Sequence, residues 1–253
     1  MLDFSEKIVF ITGASGGLGG QMARDFARAG ATIIAHDFGL AGAASDLMTD
    51  IATTGKKHLL VEGDLTDAAT VKAIVQQIEK NCSRVDVLVN NAGASPNKTP
   101  FPDVSVDLWD KVIAINLRSV FLVTQACLPL LERSGKGRVI NISSTAARNG
   151  GAPGGHAYAS SKGAVSSLTK SMAKDFCTKN ILVNAIAPGL IDTPFYGDVN
   201  VGEKYAERLK GIPLRRVGIP SDISGPVMFL ASPLAGYITG EVIEASGGLS
   251  MMA

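Results

Sequence analysis

Seven short apolar runs alternate along this chain with longer stretches of helical periodicity, and that alternation restricts the fold more than any other feature. The runs lie at 8–11, 32–35, 58–61, 85–89, 138–142, 181–186 and 242–244. Most are nearly continuous in Ile, Val and Leu, as strands are when a parallel sheet is covered on both faces. Residues 18–29, 43–53, 68–81, 106–131, 158–179 and 221–231 carry amphipathic helical patterns between them. Strand–helix alternation builds βαβ units with right-handed crossovers, so the expected fold class is α/β with a parallel sheet.

No internal repeat or low-complexity linker divides the chain, and its 253 residues, 46% of them hydrophobic, are enough to bury a substantial core. Residues 1–253 are therefore expected to form a single domain. One irregular region, 190–213, places Pro194, Gly197, Gly202 and Pro213 around a short helical stretch at 203–210. A long loop in a compact domain is usually functional, and this one reads as a substrate lid.

Charge and cysteine usage exclude several classes. The net charge of +1 marks neither a nucleic-acid surface nor a basic membrane patch. No apolar run approaches the length that crosses a bilayer, and residues 1–6 lack the basic-then-apolar build of a signal peptide. Cys82, Cys127 and Cys177 are odd in number and fit no Cys-x-x-Cys spacing. Reduced thiols in a cytoplasmic protein are the expectation. The three histidines suggest no metal cluster.

The first apolar run leads directly into Thr12-Gly13-Ala14-Ser15-Gly16-Gly17-Leu18-Gly19. Gly13, Gly17 and Gly19 allow a tight turn and close approach of backbone to ligand. The helix that opens there offers free N–H groups and a positive dipole end to a pyrophosphate. Strand before and helix after supply the context that a bare glycine triplet lacks. The second run is followed by His36-Asp37, where an acid can hydrogen-bond adenosine ribose hydroxyls. Asp37 would repel a 2′-phosphate and Gly16 offers no charge to receive one. The expected cofactor is therefore NAD rather than NADP.

Tyr158-Ala159-Ser160-Ser161-Lys162 puts a phenol and an ammonium four residues apart, on one face of a helix. A free tyrosine has a pKa of about 10, and a fixed positive charge beside it stabilises the phenolate. Such a pair can act as the general acid/base of carbonyl–alcohol chemistry.

Together these motifs resemble the short-chain dehydrogenase/reductase family. The resemblance covers nearly the whole chain: Thr12–Gly19, Asp64-Leu65, Asn90-Asn91-Ala92-Gly93, Asn116, Ser143-Ser144, Tyr158–Lys162 and Pro188-Gly189 occur in the family's order. It implies a doubly wound Rossmann-type sheet of about seven parallel strands with helices on both faces, assembled as a homotetramer or homodimer. It implies that Tyr158 is the acid/base and that Lys162 is its partner and binds the nicotinamide ribose. Ser144 would hydrogen-bond the substrate oxygen, and Asn116 would distort its helix and hold a relay water. The cofactor site would comprise Gly13, Ser15, Gly16, Gly17, Leu18, Gly19, Asp37, Asp64, Leu65, Asn90, Ala92, Gly93, Tyr158, Lys162, Pro188, Gly189, Ile191 and Thr193. Asp64 would meet adenine, and Thr193 the carboxamide.

Two departures from the family pattern stand out. The spacing of Ser144 and Tyr158 is one residue longer than in many members, across a loop holding Gly150, Gly151, Gly154 and Gly155. Glu244-Ala245-Ser246-Gly247-Gly248 replaces the frequent Val-Asp-Gly-Gly. Substrate contacts are expected from loops 94–102, 145–156 and 190–213, which offer Asn97, Lys98, Arg148, Asn149, His156, Phe195, Tyr196 and Tyr205. That mixture suits a small secondary alcohol or ketone such as a sugar or polyol. The alternatives are an NADPH-dependent 3-oxoacyl-carrier-protein reductase and a catalytically silent NAD-binding regulator.

Overall fold

The computed structural model describes residues 2–95, 98–196, 201–204 and 206–250. The apolar runs become β1 (Ile8–Ile11), β2 (Thr32–Asp37), β3 (Leu59–Glu62), β4 (Val87–Asn90), β5 (Arg138–Ile142), β6 (Leu182–Pro188) and β7 (Val242–Ala245). All pair in parallel, in the order β3-β2-β1-β4-β5-β6-β7. The chain winds outward from β1 to β3, then returns to the centre and winds the other way from β4. A crevice opens at that reversal, beyond the carboxyl ends of β1 and β4.

Helices cover both faces. On one face α1 (Gly17–Arg28), α2 (Ala41–Ala52) and α10 (Pro220–Ala231) bury Met22, Phe26, Leu47, Ile223 and Val227 with Phe4. On the other, α3 (Ala68–Asn81), α5 (Ser119–Arg133) and α7 (His156–Phe176) bury Ile74, Ile78, Val123 and Leu130 against Phe10, Leu88 and Val183. The start of α3 is set by Asp67, whose carboxylate accepts from the Thr70 N–H at 2.8 Å. α4 (Val106–Ile113) starts at Ser105, whose hydroxyl oxygen accepts from the Leu108 N–H at 3.1 Å. Short helices α6 (Ala146–Asn149), α8 (Val201–Lys204) and α9 (Ala206–Lys210) lie in the loops.

The central strands carry buried amides, which must find partners. Asn90 Nδ2 donates to Thr124 Oγ1 at 2.9 Å and to Asn141 Oδ1 at 2.8 Å. Asn141 Nδ2 in turn donates to Thr169 Oγ1 at 2.8 Å, tying β5 to α7.

The structure refines the sequence expectation over 106–133 and 203–210. The helix expected over 106–131 carries a π turn at Ala114–Arg118, between α4 and α5, around Asn116, the residue that the family resemblance implied would distort its helix. The whole stretch Val106–Arg133 is also long and apolar enough, by length and composition, to cross a membrane, contrary to expectation. Its apolar residues Val120, Val123, Cys127, Leu130 and Leu131 are instead buried on the sheet. The helical stretch expected at 203–210 is described as α8 and α9, on either side of residue 205, which lies outside the described residues; Leu190, Val201 and Ile212 form a small separate core beside Leu209. Gly197 and Tyr205 lie outside the described residues.

Candidate active site

A cavity of about 1140 Å³ occupies the crevice. It exceeds the roughly 300–1,000 Å³ of an ordinary ligand pocket, leaving room for two ligands side by side. The glycine-rich turn forms one wall, with Gly13, Ser15, Gly16, Gly17 and Leu18 facing the space. Gly16 at the start of α1 has no side chain to cap the first turn, so among the described residues its leading N–H groups remain available to an anion. Asn91 anchors the turn from behind: its Nδ2 donates to the carbonyl oxygens of Thr12 and Gly13, each at 2.9 Å.

Gly19 does not reach the cavity. A methyl group there would overlap the Gly13 carbonyl oxygen and stand 2.7 Å from Asn91 Nδ2. Glycine at this position lets α1 lie against the end of β1. Gly19→Ala should therefore destabilise the protein by about 1–3 kcal/mol in denaturant titration, by forcing helix and turn apart.

Asp37 closes β2 at one end of the cavity and is buried. Its Oδ1 accepts from the Ser15 hydroxyl and its Oδ2 from the Leu40 N–H at 3.0 Å. Each carboxylate oxygen retains a lone pair for a further donor. Asp64 and Leu65 line the same end, and Asp64 Oδ1 accepts from the Thr66 N–H at 2.8 Å.

Tyr158, Lys162 and Ser144 converge at the other end. Tyr158 and Lys162 share one face of α7, with Lys162 Nζ 5.8 Å from the centroid of the tyrosine ring. Lys162 is buried, and its Nζ donates to the Ile142 carbonyl at 2.7 Å. Burial pushes its pKa from 10.5 down to about 8. Of the two adjacent serines, Ser143 is committed to α7: its hydroxyl donates to the Lys162 carbonyl at 3.0 Å and contacts Ser166 Oγ at 2.8 Å. Ser144 is half-buried at the end of β5, and its Oγ accepts from the Ala146 N–H at 3.1 Å.

Asn116 sits inside the π turn, fully buried. Its Nδ2 donates to the carbonyls of Ala94 at 2.8 Å and Val112 at 3.0 Å, and its Oδ1 accepts from the Ala94 N–H at 3.1 Å. The amide thus fastens the loop after β4 to the helix. With both amide hydrogens committed, Asn116 has no side-chain donor left for a relay water.

Ala92, Gly93, Pro188, Gly189, Ile191 and Thr193 line the cavity. Asn90 does not. Neighbouring strand residues point to opposite faces, and Asn90 turns into the buried amide network while Asn91 faces the crevice. Among the loop residues, Lys98 and Phe195 reach the wall, and the Phe195 ring lies 5.8 Å from that of Tyr158. Arg148 turns away to pair with Glu244 at 2.9 Å. Asn149 Oδ1 accepts from the Gly151 N–H within its own loop, and His156 packs edge-on against Phe101. Asn97 and the side chain of Tyr196 lie outside the described residues, as does Tyr205. Sequence reasoning missed Asn91 and His36 as wall residues. Asn91 stood within a recognised motif, but nothing in the sequence marked His36.

Residues 13–250 match the family described as enoyl-(acyl carrier protein) reductase. Nodulation protein G of Azospirillum brasilense is 39% identical over 246 residues, 97% of this chain and 99% of the relative. The 3-oxoacyl-[acyl-carrier-protein] reductase FabG of Thermotoga maritima is 38% identical over 244 residues, 96% of this chain and 97% of that protein. A variant of a Serratia marcescens short-chain dehydrogenase/reductase superposes with a TM-score of 0.92 at 33% identity, covering 98% of this chain and 99% of that one.

Proposed function

The chain belongs to the short-chain dehydrogenase/reductase family, and we propose that within it the protein catalyses NAD-dependent, reversible hydride transfer between a secondary alcohol and its ketone. The observation that carries this reading is one cavity with Asp37 at one end and Tyr158, Lys162 and Ser144 at the other. The residues fit a dinucleotide: uncapped helix amides for the pyrophosphate and a buried carboxylate for ribose hydroxyls. Lys162 would hold the second ribose. When bound, the nicotinamide supplies the hydride chemistry.

The chain's own residues handle the proton. In alcohol oxidation Tyr158 takes the hydroxyl proton, and Ser144 donates a hydrogen bond to the oxygen as its bond order rises. The Lys162 ammonium favours the phenolate. Asn116 acts at one remove, by holding the π turn against Ala94.

The substrate end of the wall is largely small and apolar, with Ala94, Ala146, Gly151, Ala152 and Phe195 beside Lys98. This favours compounds less polar than the sugar or polyol suggested by loop composition. The decisive experiment is a panel of cyclic ketones, hydroxy acids, sugars and polyols run with both coenzymes. We expect turnover with NAD or NADH in clear preference to NADP or NADPH, and Asp37→Ser should narrow that preference by about tenfold or more, since a like-charge contact costs at least ~1.4 kcal/mol. A strong native preference for NADPH would instead support the second reading, a 3-oxoacyl-carrier-protein reductase, which the Thermotoga maritima relative favours.

We further propose a homodimer or homotetramer. Trp109 and Phe121 on the α4–α5 side and Phe229, Leu234 and Tyr237 near α10 are large exposed apolar groups that a second copy would cover. Free cysteines at 82, 127 and 177 support a cytoplasmic location.

A further inference from the structure

His36 precedes Asp37 in β2 and is 2% exposed. Its ring joins two segments of the crevice: the Gly13 N–H donates to Nδ1 at 3.2 Å, and Nε2 lies 2.8 Å from the Gly63 carbonyl oxygen. A donor on one side and an acceptor on the other are both satisfied by one tautomer, with Nδ1 bare and Nε2 protonated. The backbone of the same residue holds the turn again, its carbonyl accepting from the Ala14 N–H at 2.8 Å. Gly13 has φ +61, a left-handed conformation that glycine enters without preferring it. The turn therefore depends on the bonds that hold it.

We propose that His36 is a positioning residue for the dinucleotide: as the neutral imidazole it fixes the Gly13 amide and with it the glycine-rich turn, and on protonation it releases the turn, so that coenzyme affinity falls in acid. The inference rests on the dinucleotide reading given above. An imidazolium carries N–H donors on both nitrogens, so Nδ1–H would face the Gly13 N–H, donor against donor.

The charged groups around the ring are Asp37 on its own strand and Glu62 and Asp64 from the end of β3; all three favour the cation. Burial outweighs them and holds the His36 pKa below the ordinary 6.5. As pH falls through that ordinary value, an unfolded chain takes up the proton before the native one does. The contribution of the held turn is thus complete above about pH 6.5 and is lost as pH falls further, through the lower value of the native ring.

The test compares NADH dissociation constants, measured by calorimetry at about pH 8 and at the lower pH where ring-nitrogen NMR shows the native His36 protonated, for the native protein, His36→Asn and His36→Leu. Asparagine keeps an acceptor toward Gly13 that does not titrate. We expect native affinity to weaken about three- to tenfold more over this interval than that of His36→Asn, the value of one hydrogen bond. At about pH 8, His36→Asn should bind like the native protein and His36→Leu should bind about three- to tenfold more weakly. Ring-nitrogen NMR shifts of the unliganded protein should report Nε2–H at neutral pH, a readout that needs no variant to fold. Equal pH dependence in the native protein and His36→Asn, or an Nδ1–H tautomer, would overturn the inference while leaving the coenzyme site intact. No NADH binding by the native protein at about pH 8 would overturn the dinucleotide reading and this inference together.

Discussion

Tyr158→Phe is expected to lower turnover by about 10²–10⁴-fold, the usual worth of a positioned acid/base. NADH affinity should stay close to native, because the ring, its packing against Phe195 and the rest of the wall are unchanged. Single-turnover rates with saturating coenzyme give the first quantity and calorimetry the second. Turnover within a few-fold of native would remove Tyr158 from the reaction.

Replacing Lys162 with methionine should produce opposite changes in activity and stability. Activity falls, since the phenolate loses its ammonium neighbour. Stability at neutral pH rises. The depression of the Lys162 pKa from 10.5 to about 8 means that the native protein buries a charge at a penalty of roughly 3 kcal/mol. Methionine removes that penalty but leaves the Ile142 carbonyl without its donor, which costs about 1–3 kcal/mol. A net gain of up to about 2 kcal/mol would raise Tm by about 2–4 °C per kcal/mol. The sign depends on pH in a checkable way. The native base binds its proton more weakly than the unfolded chain does, so native stability should climb between about pH 8 and about pH 10.5. The advantage of Lys162→Met should shrink over that window. A variant less stable than native at pH 7 would show that the buried ammonium stabilises the fold.

The parallel sheet was legible because its signal is local: unbroken Ile, Val and Leu runs mark strands covered on both faces. Strand ends were less so, and β6 runs on to Pro188 beyond the expected 186 because its partner β7 continues beside it. The glycine turn, Asp37 and the Tyr158–Lys162 pair were equally local, set by spacing within one turn or one helix. What sequence could not supply was which of two neighbours faces the crevice. Asn90 and Asn91 are chemically the same, and only the pleat sends one into the core and the other to the wall. His36 was invisible for another reason: its partners Gly13 and Gly63 lie on segments that the fold alone brings together. Arg148 and His156 looked like substrate contacts by composition, but Glu244 and Phe101 already engage them. The π turn left no trace in the periodicity of 106–131, since one extra residue blurs an apolar stripe without breaking it.

That extra residue limits how the chain can change length in evolution or engineering. Deleting one position from Ala114–Arg118 would close the turn to ordinary α spacing and displace Asn116 while leaving later side chains on their face, whereas deleting one position at the start of α5 would swing every later side chain by about 100° around the axis. Val123, Cys127 and Leu130 would then face water. Insertions and deletions should be tolerated at the rim loops and rejected throughout this buried rod, so a deletion scan would trace the catalytic half of the molecule as a silent gap.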